Sequence, residues 1–209
     1  ISSSTYIVAL NNSNSTHENY EVDVTDLVMK MIQDPSNIHG ILLRLQNELA
    51  YTRMFLGSQS NTNETLHPFL KIKYITVPEK TIQINPQKDA IVYFSSHPNS
   101  IEIANSYNGD KGILYAEAWT SSGYNYYIRG LINFDLESIP STATITKAEL
   151  NLYSPQPQNS VLEKHYSTYS TGNSGYKSNA SYLKRVISEW NENQVTWNNQ
   201  PQTIPTNQI

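Results

Sequence analysis

Apolar side chains in this chain arrive in short runs with a period of two. The segment Ala148-Glu149-Leu150-Asn151-Leu152-Tyr153 alternates apolar and polar positions, and Phe69-Leu70-Lys71-Ile72-Lys73-Tyr74-Ile75 does so in part. Successive side chains of an extended chain point to opposite faces, so each run sets one face on a core. Val, Ile, Tyr and Thr are prominent in these runs, and Tyr, at 15 residues, is the commonest aromatic. Such residues favour strands. Strands are expected at Tyr6–Leu10, Gly40–Leu45, Arg53–Leu56, Phe69–Ile75, Ala90–Phe94, Ile113–Ala118, Tyr126–Phe134, Thr146–Tyr153 and Tyr182–Ile187.

One segment has a different period. Val24, Leu27, Val28, Met31 and Ile32 recur at helical spacing behind Asp23 and Thr25, either of which caps a helix start. This predicts one short helix over 26–33, stopped near Pro35. Turn signals divide the remainder, among them His97-Pro98-Asn99, Asn108-Gly109-Asp110, Ser121-Ser122-Gly123 and Ile139-Pro140-Ser141. Residues 158–179 are rich in Ser, Tyr, Gly and Asn without periodicity and are expected to form an exposed loop. Many short strands separated by polar turns describe an all-β, antiparallel, jelly-roll-like sandwich. A parallel β-helix is the rival, and no short recurring motif of the kind a solenoid needs is visible.

Composition narrows the function classes. The 209 residues carry a formal charge of −4, with Lys and Arg scattered singly, so there is no electrostatic footprint for nucleic acid. No apolar run approaches the ~20 residues of a membrane helix, and neither a membrane span nor a signal peptide is expected. The chain has no cysteine, which removes disulfides, thiolate metal sites and thiol catalysis together. Asn, Ser and Thr make up about 30% of the residues and charged residues only 15%. A neutral polar surface of this kind suits an extracellular or cell-surface β-protein.

Three longer segments carry a resemblance. They are Ile132-Asn133-Phe134-Asp135-Leu136-Glu137-Ser138-Ile139-Pro140 continuing to Leu152-Tyr153; Trp190-Asn191-Glu192-Asn193-Gln194-Val195-Thr196-Trp197-Asn198-Asn199-Gln200-Pro201; and Glu21-Val22-Asp23-Val24-Thr25-Asp26-Leu27-Val28 followed by Gly40-Ile41-Leu42-Leu43-Arg44. Together they resemble the DNRLRE domain, also described as the disaggregatase-related repeat and related to family 96 carbohydrate-binding modules. The resemblance implies a non-catalytic module. In that family the Phe-Asp-Leu segment comes first, the Trp-Asn-Asn-Gln-Pro segment next and the Asp-Val-Thr segment last, before a closing strand like Pro68–Tyr74. Here the last third stands first, so the sandwich is split across the chain termini.

The implied division is 1–78 as the C-terminal part of a sandwich, 79–84 as a linker, and 85–209 as the N-terminal part of the same or the next sandwich. Residues 1–78 either fold back on their own chain, as in a circular permutation, or complete a neighbouring copy. A half sandwich exposes unpaired edges and an apolar face, and completion by a neighbour repairs both and propagates head to tail. The completing side chains are expected to be Tyr20, Val22, Val24, Ile41, Leu43, Phe69, Ile72 and Tyr74. The leading expectation is a non-catalytic structural protein whose units form a filament or tandem-repeat fibre, with neighbouring copies as its partners.

The alternative is a carbohydrate-binding module with polysaccharide as its partner. Flat aromatic faces beside amides bind sugars, and Trp119, Tyr124, Tyr126 and Tyr127 beside Asn125 are the candidate platform. Calcium is the one ion expected, through the oxygens of Asp89, Asn105, Asn108 and Asp110, residues that equally serve as turn initiators. No catalytic residue is assigned. The five histidines are dispersed, and Glu189 and Glu192, three apart beside a turn, read as capping or solvation. Trp190 and Trp197 read as core anchors, and Arg129 and Arg44 as partners of acids such as Asp135 or Glu48. Asn11, Asn14, Asn63 and Asn179 stand in glycosylation sequons.

Overall fold

The structure is a computed structural model that describes residues 7–76, 79–98, 108–109, 112–155 and 178–204. It is an all-β sandwich of two antiparallel sheets, with one α-helix among the described residues. The strands are β1 (Ile7–Leu10), β2 (Tyr20–Asp23), β3 (Ile41–Leu45), β4 (Thr52–Gly57), β5 (Phe69–Ile75), β6 (Lys80–Ile84), β7 (Pro86–Ser95), β8 (Asn108–Gly109), β9 (Ile113–Ser121), β10 (Tyr124–Phe134), β11 (Thr144–Leu152) and β12 (Ser181–Arg185). The larger sheet runs β1-β12-β3-β10-β7-β8, with β9 attached to β10 and β4 to β9; the smaller runs β2-β11-β5-β6. Of the loop expected over 158–179, residues 158–177 lie outside the described residues.

Strand β10 organises the larger sheet. One of its edges pairs with β7 from Tyr126 to Phe134. The other pairs with β9 over Tyr124–Ile128 and with β3 over Gly130–Ile132, so the sheet forks at residue 129. Gly130 makes the fork passable: a Cβ there would sit 2.6 Å from Leu114 Cδ1. The β9–β10 hairpin closes through Ser122 (φ 52°) and Gly123 (φ 82°), the left-handed pair that a two-residue hairpin loop requires.

Between the sheets, Ile41, Leu43, Met54 and Phe134 from the larger pack with Leu70, Ile72, Ala148 and Leu150 from the smaller in one buried cluster. Each large side chain so buried contributes roughly 1.5–3 kcal/mol. A second cluster covers the outer face of the larger sheet, where Leu42, Val92 and Leu131 meet Val186, Trp190 and Val195. Strand β3 is therefore covered on both faces.

Helix α1 (Thr25–Gln33) turns Leu27, Val28, Met31 and Ile32 inward, as the periodicity predicted. Its start is tied to β11 by a relay in which the Ala148 amide donates to Thr25 Oγ1 (2.8 Å) and that hydroxyl donates to Asp23 Oδ1 (2.6 Å). The Thr25 amide donates to the same carboxylate oxygen at 2.9 Å. Gly40 (φ +106°) precedes β3 where a Cβ would stand 2.3 Å from the Ile132 carbonyl oxygen, a position only glycine fills.

Residues 80–84 are not the linker that the sequence suggests. They form β6, paired with β5 from Leu70↔Ile84 to Tyr74↔Lys80, because Ile82 and Ile84 reach the core while Thr81 and Gln83 face water. The break between sheets falls instead at Asn85, the single residue separating β6 from β7. Ile7 opposes Lys184 in β12, and the Ile204 amide donates to the Arg185 carbonyl, so both ends of the described chain meet on neighbouring residues of one strand.

Hydrogen bonds from Thr25 hold the Asp23 carboxyl below its ordinary value. A depressed carboxyl adds stability above its unfolded-state pKa that is lost as pH falls through the folded one. Val24, which has no side-chain oxygen, occupies the N-cap position in place of the expected Asp23 or Thr25. Asp23→Ala removes the acceptor of the two Thr25 hydrogen bonds and is expected to cost about 1 kcal/mol at neutral pH and to flatten the acid limb of the stability curve, checked by urea unfolding across pH.

Candidate functional site

Aromatic side chains concentrate on β7, β9 and β10, and alternation along β10 divides them. Tyr126 stands opposite Trp119 of β9 and Ser95 of β7, whereas Tyr127 stands opposite Ala118 and Phe94. Neighbouring residues of a strand face opposite ways, so the four sugar-platform candidates do not form one surface.

The first group is built around a buried ion pair. Arg53 Nη2 lies 3.0 Å from Glu117 Oε1, and the side chains are 3% and 5% exposed. The guanidinium carbon sits 4.7 Å from the centre of the Trp119 ring, and Tyr51 meets that ring edge-on at 5.1 Å. Tyr126 stacks on Tyr93 at 5.5 Å, and Tyr115 tilts against Phe55 at 5.2 Å. Burial pushes the Glu117 carboxyl upward, against the pull of Arg53. Burial, reinforced by the Glu117 charge, pushes the Tyr126 phenol up to about 12. Tyr124 stands at the hairpin end, edge-on to His97 at 4.4 Å. The group presents half-exposed Trp119 and Tyr126 above a rigid charged base, the ingredients of a flat, hydrogen-bonding platform.

The second group holds the 190–201 segment against the sheet. Tyr127 stacks on Phe94 at 6.0 Å and on Trp197 at 6.5 Å, and the Arg129 guanidinium lies 4.3 Å from the Trp197 ring centre. Arg129 Nε donates to Glu48 Oε1 at 2.8 Å while Arg44 lies 3.5 Å from the other oxygen, so Glu48 bridges both arginines. Asp135, the other acid considered for them, accepts from the Glu137 amide instead. Trp190 is buried with its indole donating to the His39 carbonyl, and Lys88 lies 4.4 Å above its ring. Trp190 is thus a core residue of the outer cluster, whereas Trp197 packs half-buried against it.

Of the calcium candidates, Asn105 and Asp110 lie outside the described residues. Asp89 on β7 is buried, with the Gln59 amide donating to its carboxylate and its own amide donating to Glu192 Oε1 at 2.8 Å. Asn108 lies one strand away on β8, opposite Ile91. Among the described residues no three acids or histidines cluster as metal ligands would. Glu192, also contacted by the Gln59 side-chain amide at 3.3 Å, ties the last segment to the β4–β5 connection.

The completing residues have definite places. Val24, Ile41, Leu43, Ile72 and Tyr74 are buried in the inter-sheet cluster, and Tyr20 and Val22 pack half-buried at its β2 margin. Phe69 tilts onto Tyr153 at 6.1 Å. Asn179 is fully buried, its amide donating to Ser13 Oγ and the Arg53 carbonyl, so in the folded protein that sequon is closed to glycosylation. A cavity of about 560 Å³ lies between the end of α1 and the 134–141 segment, with Asp135 and Glu137 among its lining. Neither Glu117 nor this cavity stands out in the sequence. The Arg53–Glu117 pair becomes visible only once β4 and β9 are in register.

Glu117→Ala strands the Arg53 charge in a buried place and is expected to cost about 3–5 kcal/mol. The apolar pair Arg53→Met/Glu117→Leu should recover most of that loss, measured by thermal and denaturant unfolding of both variants.

Set against protein-family models, curated proteins and solved structures, the chain matches none.

Proposed function

We propose that the protein is a non-catalytic structural module of an extracellular or cell-surface assembly, whose sandwich units join head to tail in a filament or tandem-repeat fibre. The observation that carries this reading is the position of β3. Contributed by the N-terminal segment, it lies between β12 and β10, both contributed by the segment after Asn85. Without it the larger sheet is cut in two and the core cluster loses Ile41, Leu43 and Leu45. The two segments are thus complementary pieces held by pairing and burial. In the structure they complete one another within one chain. Exchange between neighbours preserves every contact except those at the Asn85 connection, the condition under which a swapped, heterologous array propagates.

Produced as separate chains divided at Asn85, the two segments are expected to be unstable alone and to co-purify one to one when co-expressed. Light scattering and negative-stain microscopy of the intact protein should show mass growing with concentration. Discrete monomers at every concentration would rule the assembly out.

A second reading draws on the half-exposed Trp119 and Tyr126 rings braced by Arg53 and Glu117. It is a carbohydrate-binding surface, with polysaccharide as the ligand. Trp119→Ala is then expected to abolish retardation by a polysaccharide gel in affinity electrophoresis while the melting transition persists; unchanged retardation rejects this platform. No helix among the described residues is long and apolar enough to cross a membrane.

A further inference from the structure

Among the described residues the smaller sheet ends at β2 on one side and β6 on the other, and the hydrogen-bonding phase of both margins can be read from the ladder. The Val24 amide donates to the Ala148 carbonyl at 2.8 Å. In antiparallel pairing bonded and non-bonded positions alternate. Val22 therefore bonds with its partner Leu150, and Glu21 and Asp23 turn their N–H and C=O groups outward. The same alternation carried across β11 and β5 gives Glu149↔Lys71 as a bonded pair, then Leu70↔Ile84 and Ile72↔Ile82. Thr81 and Gln83 are consequently the residues whose backbone groups face outward from β6. Among the described residues no strand pairs with either margin.

These margins complement each other. The sheet has four strands, each antiparallel to the next. Strand β6 thus runs opposite to β2, and a second copy advanced along the sheet brings its β2 antiparallel to the first copy's β6. One register satisfies every constraint: Gln83 opposite Glu21 and Thr81 opposite Asp23 of the next copy, with Ile82 opposite Val22 and Ile84 opposite Tyr20. In it all outward backbone groups of these four polar residues pair, giving four hydrogen bonds. The core-facing Ile82 and Ile84 meet core-facing Val22 and Tyr20, continuing the apolar layer. On the outer face, acids meet an amide and a hydroxyl backed by lysines, since Lys71 opposes Gln83 and Lys73 opposes Thr81. Glu21 stands beside Glu149, which raises its carboxyl, so a donor on its open side relieves a like-charge contact.

We infer that β6 of one copy anneals to β2 of the next, joining completed sandwiches through one continuous smaller sheet. The occupant of each margin is a second copy of this chain. Successive strands rotate by roughly −20 to −25°, so the four-strand repeat advances as an open helix. The inference rests on the assembly reading above and supplies its joint.

The test uses the intact protein, with sedimentation velocity, light scattering and negative-stain microscopy. The double variant Thr81→Glu/Gln83→Glu places acids against Asp23 and Glu21 of the neighbour, while within its own sheet the new acids face Lys73 and Lys71, so the fold is retained and a thermal melt confirms it. The concentration for half-assembly should rise about tenfold or more, the size expected of two like-charged cross-strand pairs. Adding Glu21→Lys to that variant should bring the concentration back toward the parent value. If the parent protein assembles and the double variant assembles equally well, this joint is wrong while the assembly reading stands through segment exchange. If the parent stays monomeric, both fall.

Discussion

The structure depends on the hydrogen-bonding of one five-residue strand. Ile41–Leu45 pairs along one edge with Ser181–Arg185 and along the other with Gly130–Ile132, while its two faces are covered by the inter-sheet cluster and by the Trp190 cluster. A buried strand cannot leave a backbone group without a partner, so all of its neighbours must be present at once. They come from widely separated parts of the chain. Completion of β3 is what turns a set of hairpins and long connections into a cooperative unit, and it makes the N-terminal segment indispensable to the rest.

Around that unit, enclosed polar groups link separate parts of the chain. Arg53 and Glu117 neutralise one another between aromatic rings, and Asn179 links the Ser13 segment to β4. Trp190 and Trp197 lie beneath lysine and arginine, which cover their faces while keeping charge near water. The 190–201 segment therefore covers the outer face of the larger sheet around Leu42, Val92 and Leu131. Its Glu192 does the same at one side by accepting the Asp89 amide.

Periodicity made most of this legible. Alternation located β5 at its observed bounds and β11 with its start two residues late and its end one residue late, and the 24, 27, 28, 31, 32 spacing located α1. Residues 80–84 were hidden because Lys80, Thr81 and Gln83 outnumber two isoleucines, and an edge strand with only one neighbour needs little apolar surface. The aromatic cluster was visible as composition but not as geometry. Tyr126 and Tyr127 are adjacent in sequence and separated by the thickness of the sheet. Glu117 gave no signal, since its partner Arg53 is 64 positions away and meets it only through the β4–β9 register. Arg129 and Arg44 were legible as cations in apolar strands, and Glu48 receives both.

The meeting of Ile7 and Ile204 on β12 has a mechanical consequence. A pull applied through these two residues travels across Lys184 and Arg185 and bypasses the body of the sandwich. Ile7 is the first residue of β1 and opposes the C-terminal half of β12, so tension opens that ladder one rung at a time rather than loading its rungs in parallel. The module yields first at its seam, and its interior stays folded as a reserve of length.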